Sequence, residues 1–156
     1  MKLNGKQDVD VPASFVARVL LDFQGWERAA LRRGLDVRRT DGLTEPGIGS
    51  SWSIRFSFRG RQRVVDLTVV EREASGRVVV SFVGKAAQGT ATLVPLALSP
   101  HRTRISASVD VQARTLAARL LFQSLRLARQ RVVRRFDKRM ALFGAEIEAR
   151  FKAAGG

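Results

Sequence analysis

The chain has 156 residues, 45% of them hydrophobic and 27% charged, which suits one globular domain over residues 1–156 and excludes disordered and fibrous classes. It has no cysteine, no tyrosine and one histidine, so disulfides, thiolate metal sites and cysteine nucleophiles are excluded and little remains for acid–base work. Twenty-eight Lys and Arg against fourteen Asp and Glu give a net charge of +14, a surface that attracts nucleic acid, acidic lipid headgroups or an acidic protein unless the arginines only cover solvated positions.

The first residues alternate: Leu3, Gly5, Gln7, Val9 and Val11 fall on one side of a strand over 2–11. They hold no apolar stretch of signal-peptide type, and no run of about 18 apolar residues follows, so the expected compartment is the cytoplasm. Pro12 suits the first position of a helix over 13–22, which gathers Phe15, Val16, Val19 and Leu20 on one face. Gly25 interrupts, and a second short helix over 26–33 stops at Gly34. A short strand over 35–40 and a Gly/Pro loop over 42–49 come next.

Trp52, Ile54, Phe56 and Phe58 alternate with Ser51, Ser53, Arg55 and Ser57, the pattern of a strand with one wet face. Arg59-Gly60 makes a two-residue turn into a strand over 61–73. That turn sets Phe58 opposite Arg61 and aligns Phe56, Ile54 and Trp52 with Arg63, Val65 and Leu67. After the turn at Ala74-Ser75-Gly76, a strand over 77–84 carries Val78, Val80 and Phe82 inward. A strand over 88–98 turns at Ser99–Arg102. Pairing Leu98 with Thr103 then aligns Leu96, Val94 and Thr92 with Ile105, Ala107 and Val109, and leaves Pro95 on the opposite face at an irregularity.

From Thr115 to Phe151 the period becomes helical: Leu121, Leu125, Ala128, Val132, Phe136, Met140, Phe143, Ile147 and Phe151 recur at spacings of four and three. A single helix of that length would span about 55 Å, with Gly144 as its weak point. Nine basic residues lie between Arg114 and Arg139, against Asp137 alone. Arg126, Arg129, Arg131, Arg134, Arg135, Lys138 and Arg139 make a basic surface. It can be a solvated back face, a dock for an anionic membrane, or a nucleic-acid contact. Nucleic acid is the least favoured, because the aromatics sit on the inward stripe rather than among the arginines. An exposed apolar portion at Phe143, Ile147 and Phe151 would point to a homodimer or to membrane contact.

Candidate chemistry is sparse. His101 sits in a turn with no orienting carboxylate, and a histidine metal site lacks further ligands, so neither catalysis nor metal is expected there. Glu71 is inward by parity near a strand end and is a candidate base or polar anchor. Asp66 falls outward beside Arg55, and Ser53 and Ser57 lack a histidine partner. Gly47-Ile48-Gly49 precedes a strand rather than opening a helix, which is a rim loop and not a phosphate cradle.

The element order resembles the helix-grip fold of the START / Bet v 1 / polyketide cyclase (SRPBCC) superfamily: strand, two short helices, six antiparallel strands, long C-terminal helix. The markers are Val9-Asp10-Val11-Pro12-Ala13, Leu21-Asp22-Phe23, Pro46-Gly47-Ile48-Gly49 with Trp52, Val69-Val70-Glu71, and Ser99-Pro100-His101-Arg102-Thr103-Arg104. The chain is similar to small bacterial single-domain members, including those near a component of carbon-monoxide dehydrogenase. The resemblance implies an α+β fold in which a curved seven-stranded antiparallel sheet wraps the C-terminal helix. Separately, no cofactor is expected; the resemblance also implies a cavity for a lipid, quinone or polyketide-like molecule. Its walls would be Trp52, Ile54, Phe56, Leu67, Val80, Phe82, Val94, Leu96, Ile105, Leu121, Leu125, Ala128 and Val132. A carrier is the first expectation. The alternatives are a cyclase or dehydrase acting on a polyketide-like substrate, and an anion-binding module with a filled core.

Overall fold

In the computed structural model, which describes residues 1–156, alternation and helical period resolve into eleven elements. They are β1 (Lys2–Val9), α1 (Ala13–Leu21), α2 (Phe23–Arg32), β2 (Asp36–Arg39), β3 (Ser51–Phe58), β4 (Arg61–Arg72), β5 (Val78–Gly84), β6 (Ala87–Ser99), β7 (Arg102–Ala113), α3 (Leu116–Leu127) and α4 (Arg129–Ala153). The strands form one antiparallel sheet in the order β1-β7-β6-β5-β4-β3-β2. Strands β2 to β7 follow one another as a meander. α1 and α2 carry the chain from β1 on one edge to β2 on the other, so both helices cross the sheet.

The β3–β4 hairpin has the expected register, with Phe58 opposite Arg61 and Trp52 opposite Leu67. Its turn places Arg59 and Gly60 at φ 54° and 74°, the two left-handed positions that a two-residue hairpin loop requires.

The β6–β7 register differs from expectation by one residue. Ser99 pairs with Arg102 and Ala97 with Thr103, so Leu98 is an extra, bulged residue. Every side chain upstream changes face, because strand periodicity is two. Leu93 and Pro95 now stand opposite Ala107 and Ile105, on the inner face, while Val94 and Leu96 turn outward. A second bulge between Val69 and Glu71 sets Glu71 opposite Val79 on the outer face, where it is exposed and ion-paired with Arg77. Unbroken parity would put it inside.

The helices also depart from the simplest reading. α2 begins at Phe23, three residues early, because the Asp22 carboxylate accepts from the Gly25 N–H at 3.0 Å and caps it. The C-terminal helix is two: at Ala128 (φ −105°, ψ 26°) the chain leaves helical geometry and redirects. Gly144, far from breaking α4, lies buried inside it. A Cβ there would meet Gln7 Cγ at 2.7 Å and Val9 Cγ1 at 3.1 Å, so glycine lets α4 lie close on β1.

The core sits where α1 and the C-terminal half of α4 meet β1 and β7. Val9, Val11, Val16, Leu20, Ile105 and Ile147 have at most 1% of their surface exposed. Each fully buried aliphatic side chain contributes roughly 1.5–3 kcal/mol of transfer free energy. Phe15 meets Phe151 edge-on at 5.1 Å and Trp26 meets Phe143 at 5.3 Å. Ile147 is therefore buried and Phe143 and Phe151 are half-buried against α1 and α2, rather than forming an exposed apolar patch.

Candidate functional site: an apolar trough under the sheet

On the inner face, β3 places Trp52, Ile54 and Phe56 opposite Leu67, Val65 and Arg63 of β4, and β5 places Phe82 and Val80 opposite Leu67 and Val69. Trp52, Ile54, Phe56, Leu67, Val80 and Phe82 are only half-buried. The reason lies in the helices. α4 lies along β1 and α3 approaches β7, while neither comes comparably close to β3, β4 or β5. Curved strands carry an apolar face that no helix backbone covers.

The resulting trough has one closed end. Phe23 of α2 reaches Trp52 edge-on at 6.1 Å and packs with Val69 and Val78. Toward the β3–β4 turn Phe58 is exposed; Leu121 and Leu125 of α3, Ala128 at the junction and Val132 of α4 are half-buried, and α3 approaches β7 rather than β3, β4 or β5. Three expected wall residues do not belong. Ile105 lies wholly inside the α1–α4 core. Leu96 is exposed on the outer face, and Val94 lines a solvent-open recess of about 500 Å³ shared with Asn4, Lys6, Thr92 and Ser106. Leu93 takes the inner place instead, and only the bulge at Leu98 could have revealed it.

The rim is held by one carboxylate. Asp41 accepts from Arg39 Nε at 2.9 and 3.1 Å, from the Leu43 N–H at 2.9 Å and from the Ser51 N–H at 2.8 Å. These bonds, the arginine's first, hold its carboxyl far below the usual carboxylate range. The loop continues with Ser50, which is fully buried and accepts from the Gly47 N–H at 2.8 Å.

The trough carries little acid–base equipment. His101 is exposed in the β6–β7 turn, at the opposite end of the strands from the β3–β4 turn, and Glu71 faces away. Two buried side-chain donors have no hydrogen-bond acceptor, Trp52 Nε1 and Arg63 Nε. Arg63 is visible in the sequence opposite Phe56, as a cation within an apolar alternation. On the outside, Arg126, Arg129, Arg131, Arg134, Arg135, Lys138 and Arg139 are all exposed, and none is ion-paired. No helix is long and apolar enough to cross a membrane.

No protein-family model and no curated protein matches the chain. Solved structures do. An aromatase/cyclase, Zhui, from Streptomyces sp. R1128 is 18% identical with a TM-score of 0.71, covering 100% of this chain and 98% of that one. Norcoclaurine synthase from Thalictrum flavum, in complex with dopamine and hydroxybenzaldehyde, is 11% identical with a TM-score of 0.63 over 80% and 76%. A START superfamily protein from Mycobacterium smegmatis is 14% identical with a TM-score of 0.54 over 86% and 95%. With its antiparallel sheet, paired short helices before β2 and long C-terminal helix, the chain has the helix-grip fold of START, Bet v 1-like and polyketide cyclase (SRPBCC) proteins.

Proposed function

We propose that this protein is a non-enzymatic carrier or sequestering protein for a hydrophobic small molecule, a lipid, quinone or polyketide-like compound, held in the trough. The observation that carries the reading is the half-buried aromatic and aliphatic surface of β3–β5, which α3 and α4 do not approach as closely as they approach β1 and β7 and which only Phe23 of α2 reaches at one end. A folded chain keeps such a surface at a cost, since apolar area left in water forgoes about 25 cal/mol per Å². A ligand that covers it recovers that free energy, less the cost of association. The solved structures of similar fold include proteins whose names describe action on or complexes with small organic molecules, which supports the same reading.

An enzyme of the cyclase or dehydrase type is the alternative that the first of those structures favours. Against it stands the trough's chemistry, because the strands that line it present neither an imidazole nor a carboxylate. A filled-core anion-binding module is the third reading, and the uncovered apolar face argues against it.

The exposed basic face has a further feature. Leu116, Leu120 and Leu127 of α3 are 71%, 56% and 93% exposed. At 100° per residue they fall within about 40° of one another on the helix. Arg119 and Arg126 lie together along one side of that stripe. Leucines bordered by arginines suit the surface of an anionic bilayer, so the carrier reading extends to docking there during loading or release.

Native mass spectrometry of the gently purified protein tests the carrier reading: a stoichiometric lipid, quinone or polyketide-like mass is expected. Binding of the neutral dye N-phenyl-1-naphthylamine by wild type should fall at least tenfold in Phe82→Arg and Leu125→Arg. Equal binding by variants that remain folded would move the site elsewhere.

A further inference from the structure

Charge is segregated across the sheet. Every carboxylate on a strand lies on the outer face: Asp8 stands opposite Arg104, Asp36 opposite Arg55, Asp66 opposite Ser53, Glu71 opposite Val79 and Asp110 opposite Lys2. The inner face, which follows Trp52, Ile54 and Phe56 by parity, has only cations: Arg39, Arg61, Arg63 and Arg72. Arg39 is neutralised by Asp41, with Glu27 of α2 nearby. Arg63 is not. It makes no ion pair, its Nε is buried without an acceptor, and its guanidinium lies 5.8 Å from the centroid of the Phe58 ring.

We propose that Arg63 is the anchor for an anionic group on the trough's ligand, making the ligand an amphiphile with a carboxylate or similarly charged head. The proposal rests on the carrier reading and narrows its ligand class. An arginine is a permanent cation with a planar fork of donors that fits a carboxylate in bidentate fashion. Buried polar groups in folded proteins are almost always satisfied, and here the buried Nε of a half-buried cation lacks an acceptor, best an anionic one. Phe56 stands opposite it and the Phe58 ring lies beside its guanidinium, an apolar setting that strengthens such a pairing.

The second orphan donor sets the ligand's length. Trp52 is four residues from Arg63's partner Phe56 along β3, a separation of about 13 Å. Between them lie Ile54 and Val65, both apolar. The complementary molecule has an anionic head at Arg63, an apolar body about 13 Å long, and room for a hydrogen-bond acceptor near Trp52 Nε1.

The test uses dodecanoate and 1-dodecanol as competitors for N-phenyl-1-naphthylamine, in 0.5 M NaCl so that the +14 surface is screened. Wild type should bind dodecanoate at least tenfold more tightly than the alcohol. Arg63→Gln should abolish the preference by weakening dodecanoate alone, and Arg55→Gln, on the outer face, should keep it. Should Arg63→Gln misfold, Arg63→Lys serves: it retains charge but loses the fork, and the preference should shrink. Dye binding with no preference between the competitors, or a preference that survives in Arg63→Gln, overturns the anchor and leaves the carrier reading standing. Failure of wild type to bind the dye or either competitor overturns both.

Discussion

Arg39 and Asp41 are two residues apart, and their ion pair at 2.9 Å closes the loop that borders the trough. Asp41 also accepts from the backbone on both sides, at Leu43 and Ser51, so one carboxylate ties the end of β2 to the start of β3.

Its depressed pKa sets a pH dependence. In the unfolded chain an aspartate titrates near about 3.9, and in the folded chain Asp41 lies well below that. The stabilisation is therefore complete above the unfolded value and is lost as pH falls through the interval below it. Asp41→Asn should melt several degrees lower than wild type at pH 7, and the gap should narrow progressively as pH falls below about 4. Thermal melts of both proteins across that range decide it. A gap that persists unchanged at pH 2 would mean that Asp41's charge is not what holds the loop. Hydrogen exchange should rise over residues 42–50 in the variant, since their anchor is gone.

The bulge at Leu98 makes an equally direct claim about faces. Leu93→Asp puts a carboxylate against the inner cluster of Phe23, Val69 and Val78 and should cost more than about 3 kcal/mol. Leu96→Asp adds a charge to a side chain already 57% exposed and should change stability by less than about 0.5 kcal/mol. Urea unfolding of the two variants reads the register. The reverse ranking would restore the pairing of Leu98 with Thr103.

These two strands show which parts of the fold sequence can carry. Where a turn has two residues and both flanks alternate, as at Arg59-Gly60, parity alone gives the pairing, and the β3–β4 half of the trough follows from it. Where an extra residue is absorbed, at Leu98 or Val70, nothing local marks it, because a bulge is decided by how the strand must bend to meet its neighbours. Val94, Leu96 and Glu71 change face for that one reason. The helical stripe from Leu121 to Phe151 has continuous period across Ala128, so the redirection there leaves no trace in spacing. The fate of Phe143, Ile147 and Phe151 depends on α1 and α2 arriving from another part of the chain. Arg63 is legible in position, but its isolation from any carboxylate emerges only from the whole sheet.

Gly144 tests how closely α4 lies on β1. Alanine would improve helix propensity by about 1 kcal/mol, but its Cβ must displace Gln7 and Val9, at an overpacking cost of about 1–3 kcal/mol. The steric cost should win: Gly144→Ala is expected to be about 1 kcal/mol less stable in urea, and Gly144→Leu far less so. Stabilisation by alanine would mean that α4 stands further from β1 than the contacts require.

The exposed stripe on α3 separates docking from plain solubility. Leu116, Leu120 and Leu127 give apolar contact, and Arg126, Arg131, Arg134, Arg135 and their neighbours give attraction of about 1 kcal/mol each near an anionic surface. The two contributions differ in salt dependence, since charge is screened and burial is not. Wild type should sediment with vesicles of phosphatidylcholine and phosphatidylglycerol and not with phosphatidylcholine alone. Arg134→Gln with Arg135→Gln should weaken that binding most at low salt. Leu120→Ser with Leu127→Ser should weaken it at every salt concentration, because it removes the part that salt does not screen. Both leucines are exposed, so the second variant should fold as wild type does, and its unchanged melting temperature is the control. Vesicle binding that is indifferent to the leucines would reduce the face to a nonspecific cation surface, and its absence at low salt would leave those arginines as solvated residues.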